Sequence, residues 1–100
     1  MKLFELTRKL VEIPSISGDE AAIGNFLAAY LESRGFRVEL QTVSPGRANV
    51  MACCGTAGVP SPEIVFSTHM DTVPPYIPFV EDSTWLSGRG SCARAGAARR

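Results

Sequence analysis

The sequence predicts an α/β fold, two helices followed by a mixed sheet, and three observations carry that expectation. Apolar residues recur at three- and four-residue spacing over the first third of the chain. From Phe36 to Thr42 they alternate with polar residues instead. A continuous apolar run, Ile64-Val65-Phe66, then follows a stretch rich in Gly, Pro and Ser. A helical period followed by strand patterns calls for a layered arrangement around one core. At 100 residues the chain makes at most one small domain, whose core is modest.

The first helix is expected over Lys2–Ile13. Leu3, Leu6, Leu10 and Ile13 share a face that Phe4 and Val11 widen, and Pro14 ends it because the residue before a proline is pushed out of the helical region. Ser17-Gly18-Asp19-Glu20 reads as a capping box that starts a second helix running to Ser33. Ile23, Phe26, Leu27, Tyr30 and Leu31 form its apolar stripe, and Gly35 stands where a left-handed residue closes a helix. Phe36–Thr42 is a half-buried strand, Ser44-Pro45-Gly46 a turn, and Asn49–Cys54 a second strand antiparallel to the first. After a loop over Gly55–Pro62, Glu63–Thr68 is expected as a central strand, apolar on both sides in its middle. Pro74-Pro75-Tyr76-Ile77-Pro78 cannot be regular structure. Glu81-Asp82-Ser83 is a turn, and Trp85-Leu86 a short strand leading to Gly88-Arg89-Gly90. From Ala93 to Arg100 the sequence is low in complexity and predicts a frayed or disordered tail.

Composition narrows the class. Hydrophobic residues make up 45% and charged residues 20%, as in soluble globular proteins, and ten basic residues balance ten acidic ones. Such a balance argues against nucleic-acid or membrane partners. Arg89, Arg94, Arg99 and Arg100 follow the last acid, Asp82, but without interleaved aromatics or lysines they do not make a nucleic-acid site. No signal peptide and no run of roughly twenty apolar residues is visible, so the expected location is the cytoplasm. Cys53, Cys54 and Cys92 are odd in number, two are adjacent, and none matches a CxxC pattern. A reducing compartment suits them.

The chemistry concentrates in Ser67-Thr68-His69-Met70-Asp71-Thr72-Val73-Pro74. His69 is the only histidine, and Asp71 follows it by two residues at the end of the expected central strand. An imidazole can ligate a metal while a carboxylate holds its other ring nitrogen. The same two residues could equally be a surface histidine and a turn aspartate. The rigid Pro-Pro loop and the strand end, where α/β sheets place ligand crevices, favour the metal reading. Gly88-Arg89-Gly90-Ser91-Cys92 fails as a GxGxxG loop because Ala93 takes the place of the last glycine, so a tight turn is the better reading. A nucleophilic pairing of Cys92 with His69 is disfavoured, since no second histidine exists.

Four stretches together resemble a known family. Leu10-Val11-Glu12-Ile13-Pro14-Ser15-Ile16-Ser17-Gly18-Asp19-Glu20, Asn49-Val50, Phe66–Pro74, and Trp85–Cys92 occur in the order seen in dizinc metallopeptidases and deacylases. That family includes acetylornithine deacetylase, succinyl-diaminopimelate desuccinylase, aminoacylase and glutamate carboxypeptidase. The resemblance implies that residues 1–92 are the N-terminal part of a zinc-peptidase-like α/β catalytic domain, incomplete here. It implies that His69 is a zinc ligand and Asp71 the catalytic carboxylate that orients it. Two zinc ions serve the full-length family, with cobalt or manganese as substitutes. Substrates are N-acyl amino acids or small peptides, hydrolysed by a metal-activated water.

The likeness stops at Ala93, where the family has a bridging aspartate. An Ala/Arg/Gly-rich ending suits an out-of-frame reading of a GC-rich gene, and the sequence leads us to expect a truncated or frameshifted product. One histidine with unplaced carboxylates falls short of the three protein ligands of a catalytic zinc. Weak or no metal binding and little or no hydrolysis are therefore expected of the isolated chain. The alternative is a non-catalytic α/β fragment that associates with a partner, or with itself, through an unfinished sheet edge.

Overall fold

The computed structural model describes residues 2–54 and 63–89, and the backbone of residues 91–94. Within them the α/β class holds: helices α1 (Leu3–Glu12) and α2 (Ala21–Ser33) precede strands β1 (Arg37–Ser44), β2 (Arg47–Cys53), β3 (Val80–Glu81), β4 (Trp85–Gly88) and β5 (Ser91–Arg94). In place of one mixed sheet there are two small antiparallel ones, β1-β2 and β3-β4-β5.

Helix α2 and the first hairpin form one unit. The helix ends in a Schellman motif: Phe36 N–H donates to the Leu31 carbonyl at 3.1 Å and Gly35 N–H to the Glu32 carbonyl at 3.0 Å. Gly35 takes φ +91°, which a side chain would strain. The hairpin closes through Pro45-Gly46, Gly46 at φ +76°, with a register irregularity between Thr42 and Ser44. Ile23, Gly24 and Ala28 are the buried residues of α2. Two of the three are small, which the apolar stripe alone does not predict. A Cβ on Gly24 would lie 3.6 Å from Met70 Cε and 3.8 Å from Val50 Cγ2, so the bare backbone there admits both side chains.

Helix α1 packs on the second sheet. Phe4, Leu6, Leu10, Val11 and Ile13 are half-buried, whereas Leu3 points to solvent. Val11 sits directly over Gly88, where a Cβ would come within 2.5 Å of its Cγ1. Arg8 reaches Glu81 at 2.6 Å and ties the helix to β3. Beneath lies Leu86, fully buried. The β3–β4 turn is fixed by Asp82, whose Oδ1 accepts from the N–H groups of Thr84 and Trp85, both at 2.7 Å. These two bonds, Thr84 first, lower the Asp82 pKa.

Two expectations need correction. Glu63–Thr68 is not a strand: it has no ladder partners among the described residues, and Ile64, Val65 and Phe66 are 73%, 73% and 94% exposed. An apolar run marks what a chain can bury, but a strand forms only where another supplies its hydrogen bonds, and both sheets here are closed by local hairpins. Ser17 is not a helix cap either. The helix starts four residues later, Glu20 is its N-cap residue, and both side chains are engaged elsewhere. The expected loop over Gly55–Pro62 lies outside the described residues. Of the Ala/Arg-rich ending, Ala93 and Arg94 belong to β5, paired with Leu86 and Trp85, and residues 95–100 lie outside the described residues. No helix among the described residues is long and apolar enough to cross a membrane.

Candidate functional site

His69 and Asp71 are not positioned by a strand end, as the sequence suggests, but by a contact from far along the chain. Ile16 and Thr72 form an isolated parallel bridge. Thr72 N–H donates to the Ser15 carbonyl at 2.8 Å, and Ser17 N–H to the Thr72 carbonyl at 2.9 Å. This stitches the loop between the helices to the histidine–aspartate loop. The Ser17 hydroxyl then donates to Asp71 Oδ2 at 2.6 Å, a short bond of the charge-assisted kind. The other carboxylate oxygen, Oδ1, lies 4.0 Å from His69 Nδ1. That is ion-pair reach and too long for a hydrogen bond. The imidazole is 94% exposed, while Asp71 is 34% exposed.

Two further contacts brace the region. Arg89 donates from Nε to the Val73 carbonyl at 3.0 Å and from Nη2 to the Pro74 carbonyl at 3.3 Å. The Gly-Arg-Gly segment, read from sequence as a turn, thus also clamps the histidine–aspartate loop through its arginine. On the other side Glu20 is buried and doubly bound by Arg47, Nη2 to Oε1 at 2.9 Å and Nε to Oε2 at 3.1 Å. It also accepts from Gly18 N–H at 2.9 Å. The Arg47 bond first and the Gly18 bond second hold the Glu20 pKa down to about 2. Arg47 is raised in turn, mainly by Glu20 and more weakly by the charge of Asp71.

Ser17, Glu20, Arg47 and Arg89 are thus the residues that sequence reasoning left out of the site. Ser17 and Asp71 stand 54 residues apart, and nothing in one sequence links them. Arg89 carried a weak signal, a bulky cation between two glycines. A groove of about 240 Å³ opens between α2 and the hairpin, lined by Glu20, Gly24, Asn25, Leu40 and Arg47 among others. Neither His69 nor Asp71 lines it.

Similarity to known proteins covers most of the chain. A peptidase M20 domain-containing protein of Schizosaccharomyces pombe is 42% identical over 93 residues, 90% of this chain and 23% of that protein. Probable carboxypeptidases of Emericella nidulans and Talaromyces marneffei are 47% and 46% identical, over 85% and 80% of this chain and 22% and 19% of theirs. These relatives support reading the chain as a fragment of an M20 peptidase. It spans about a quarter of the length of the curated M20 relatives it matches. No family model matches the chain. No solved structure matches it either.

The M20 resemblance implies a metal, and the described residues meet that implication only in part. His69 fits as a single nitrogen ligand, because its ring is exposed and makes no hydrogen bond among the described residues. A complete centre does not fit. A zinc site takes four ligands, and among the described residues no group of three or more His, Cys, Asp or Glu side chains could hold an ion. The side chain of Cys92, weighed above as a nucleophile, lies outside the described residues.

Proposed function

We propose that this chain carries the first metal-ligand segment of a hydrolase that cleaves the amide bond of N-acyl amino acids or small peptides. His69 is one ligand of a zinc ion, and Asp71 is the carboxylate that orients its ring. The observation that carries the reading is the bracing of the Asp71 carboxylate by Ser17 with its free oxygen turned toward His69 Nδ1. The carboxypeptidase names of the relatives support the reaction class. With one imidazole in reach of a metal, the 100-residue chain by itself binds zinc weakly and turns over no substrate.

Calorimetric titration with zinc chloride, paired with an N-acyl amino acid hydrolysis assay, tests this. The expected result is a dissociation constant weaker than micromolar, lost in His69→Ala, and no turnover. Micromolar binding with turnover would overturn the claim that the chain alone is inert. Zinc binding that survives His69→Ala would remove the ligand role.

A second reading has its own observation. Ile64, Val65 and Phe66 present exposed apolar side chains on a backbone without ladder partners among the described residues. Such an edge invites association with another chain, including a second copy of this one. Sedimentation that depends on protein concentration would register it.

A further inference from the structure

We infer that Ser17 is a positioning residue for the His69–Asp71 pair: its hydroxyl fixes one oxygen of Asp71 so that the other faces His69 Nδ1. The inference rests on the proposed roles of those two residues and adds a third to them. An aspartate carboxylate turns about a broad, two-fold torsion, so its direction is set by whatever binds it. Here one oxygen is bound by Ser17 Oγ at 2.6 Å, and the other lies 4.0 Å from His69 Nδ1. The hydroxyl has a single proton and two acceptors in reach, Asp71 Oδ2 at 2.6 Å and the Thr72 carbonyl at 3.4 Å. The shorter bond goes to the charged partner, which is also the stronger acceptor.

The arrangement has a competitor. Arg47 lies close enough to feel the Asp71 charge, although its own fork is occupied by Glu20. Without the serine hydroxyl, the carboxylate is free to turn toward that guanidinium or toward water. The backbone frame does not depend on the hydroxyl, because Ser17 N–H to Thr72 and Thr72 N–H to Ser15 are main-chain bonds. Ser17→Ala therefore removes the orienting bond and leaves the stitch.

His69 is the only histidine, so its ring nitrogens give unambiguous nitrogen-15 signals in the full chain. In metal-free protein at about pH 8.5, well above an ordinary imidazole pKa, the ratio of its two neutral tautomers reads the neighbour of Nδ1. A carboxylate facing Nδ1 favours the tautomer protonated there, which leaves Nε2 free for a metal. Asp71→Asn should lower that tautomer's ratio to the other by about two- to threefold, the size expected where a carboxylate charge 4.0 Å away attracts the N–H at a solvated site. Ser17→Ala should lower it nearly as far, and Ser17→Thr, which restores a hydroxyl, should recover it.

A shift in Asp71→Asn with none in Ser17→Ala overturns the serine's role and leaves the Asp71–His69 pair standing. No shift in Asp71→Asn overturns the pair, and the serine's role with it. Should Ser17→Ala lose the native amide spectrum, the wild-type chain still decides. Its Asp71 carboxyl carbon should show a larger isotope shift between H2O and D2O than that of exposed Asp19. Equal shifts overturn the inference.

Discussion

The helix–hairpin unit from Ala21 to Cys53 and the segment from Glu63 to Pro74 are held in opposite ways. In the first, each element finds its partner next in sequence. The helix closes on Gly35 and Phe36, the strands pair across Pro45-Gly46, and α2 lies on the hairpin it leads into. In the second, the half carrying His69 and Asp71 is held by residues from both flanks of the chain, Ser15–Ser17 and Arg89. The half carrying Ile64, Val65 and Phe66 is held by nothing among the described residues. The fold thus spends long-range contacts on the loop with the chemistry and leaves the apolar run before it bare.

The largest expected effect contrasts buried and bare apolar side chains. Leu86→Ala empties a fully buried site under α1 and should cost about 2–5 kcal/mol in denaturant unfolding. Phe66→Ser, on a ring 94% exposed, should change stability by about 0.5 kcal/mol or less while weakening any self-association seen by sedimentation. A Phe66 variant as damaging as Leu86→Ala would show that the run is packed in solution, and the contrast would break.

The same contrast explains what the sequence discloses. Helix α2 is legible because Ile23, Leu27, Tyr30 and Leu31 recur at helical spacing and Gly35 follows them. The hairpin is legible because an alternating run and an apolar run flank Ser44-Pro45-Gly46. These signals are local, and so are the contacts they encode. The residue types of the candidate site are read from sequence too, since His69 and Asp71 stand together in one short motif. Their bracing is not. Ser17 and Glu20 satisfy the spacing of a capping box, yet the structure gives Ser17 to Asp71 and Glu20 to Arg47, 27 residues on. Local propensity proposes a partner for each polar group, and a nearer or more charged one from another segment displaces it. Ile64–Phe66 fails for a related reason: hydrophobicity gives the tendency to be buried, and only the presence of neighbours turns it into a strand.

A middle-sized effect sharpens the account of the His69–Pro74 loop. Arg89→Ala deletes two donors to the Val73 and Pro74 carbonyls and should cost about 1 kcal/mol, since both bonds lie at the surface. The cost should be local. Amide exchange should quicken at Asp71–Val73 and stay unchanged in α2 and the first hairpin. Exchange that quickens equally in the helix–hairpin unit would mean that the two regions are one cooperative body, with no separately held loop between them.

The smallest effect lies within the helix–hairpin unit, at the Glu20–Arg47 pair that ties the helix start to the hairpin, and it is read through pH. Folding lowers the Glu20 pKa from its ordinary 4.5 to about 2, chiefly through the bond from Arg47. The folded state therefore holds its proton less tightly than the unfolded one, and the pair stabilises fully above about pH 4.5. That contribution declines as pH falls from there through about 2, and it is gone only below that, where the carboxyl is protonated in both states. Arg47 is 46% exposed, so water screens the pair and keeps the gain small. Asp82, lowered by its bonds from Thr84 and Trp85, adds a slope of the same sign from the other sheet. Melting temperatures followed from pH 5 to pH 2 should thus fall in wild type and fall less steeply in Glu20→Gln. Equal slopes would show that Glu20 is solvated in the unbroken fold and that Arg47 is not its partner. The junction between the helix start and the hairpin would then rest on apolar packing such as that of Val50 against Gly24.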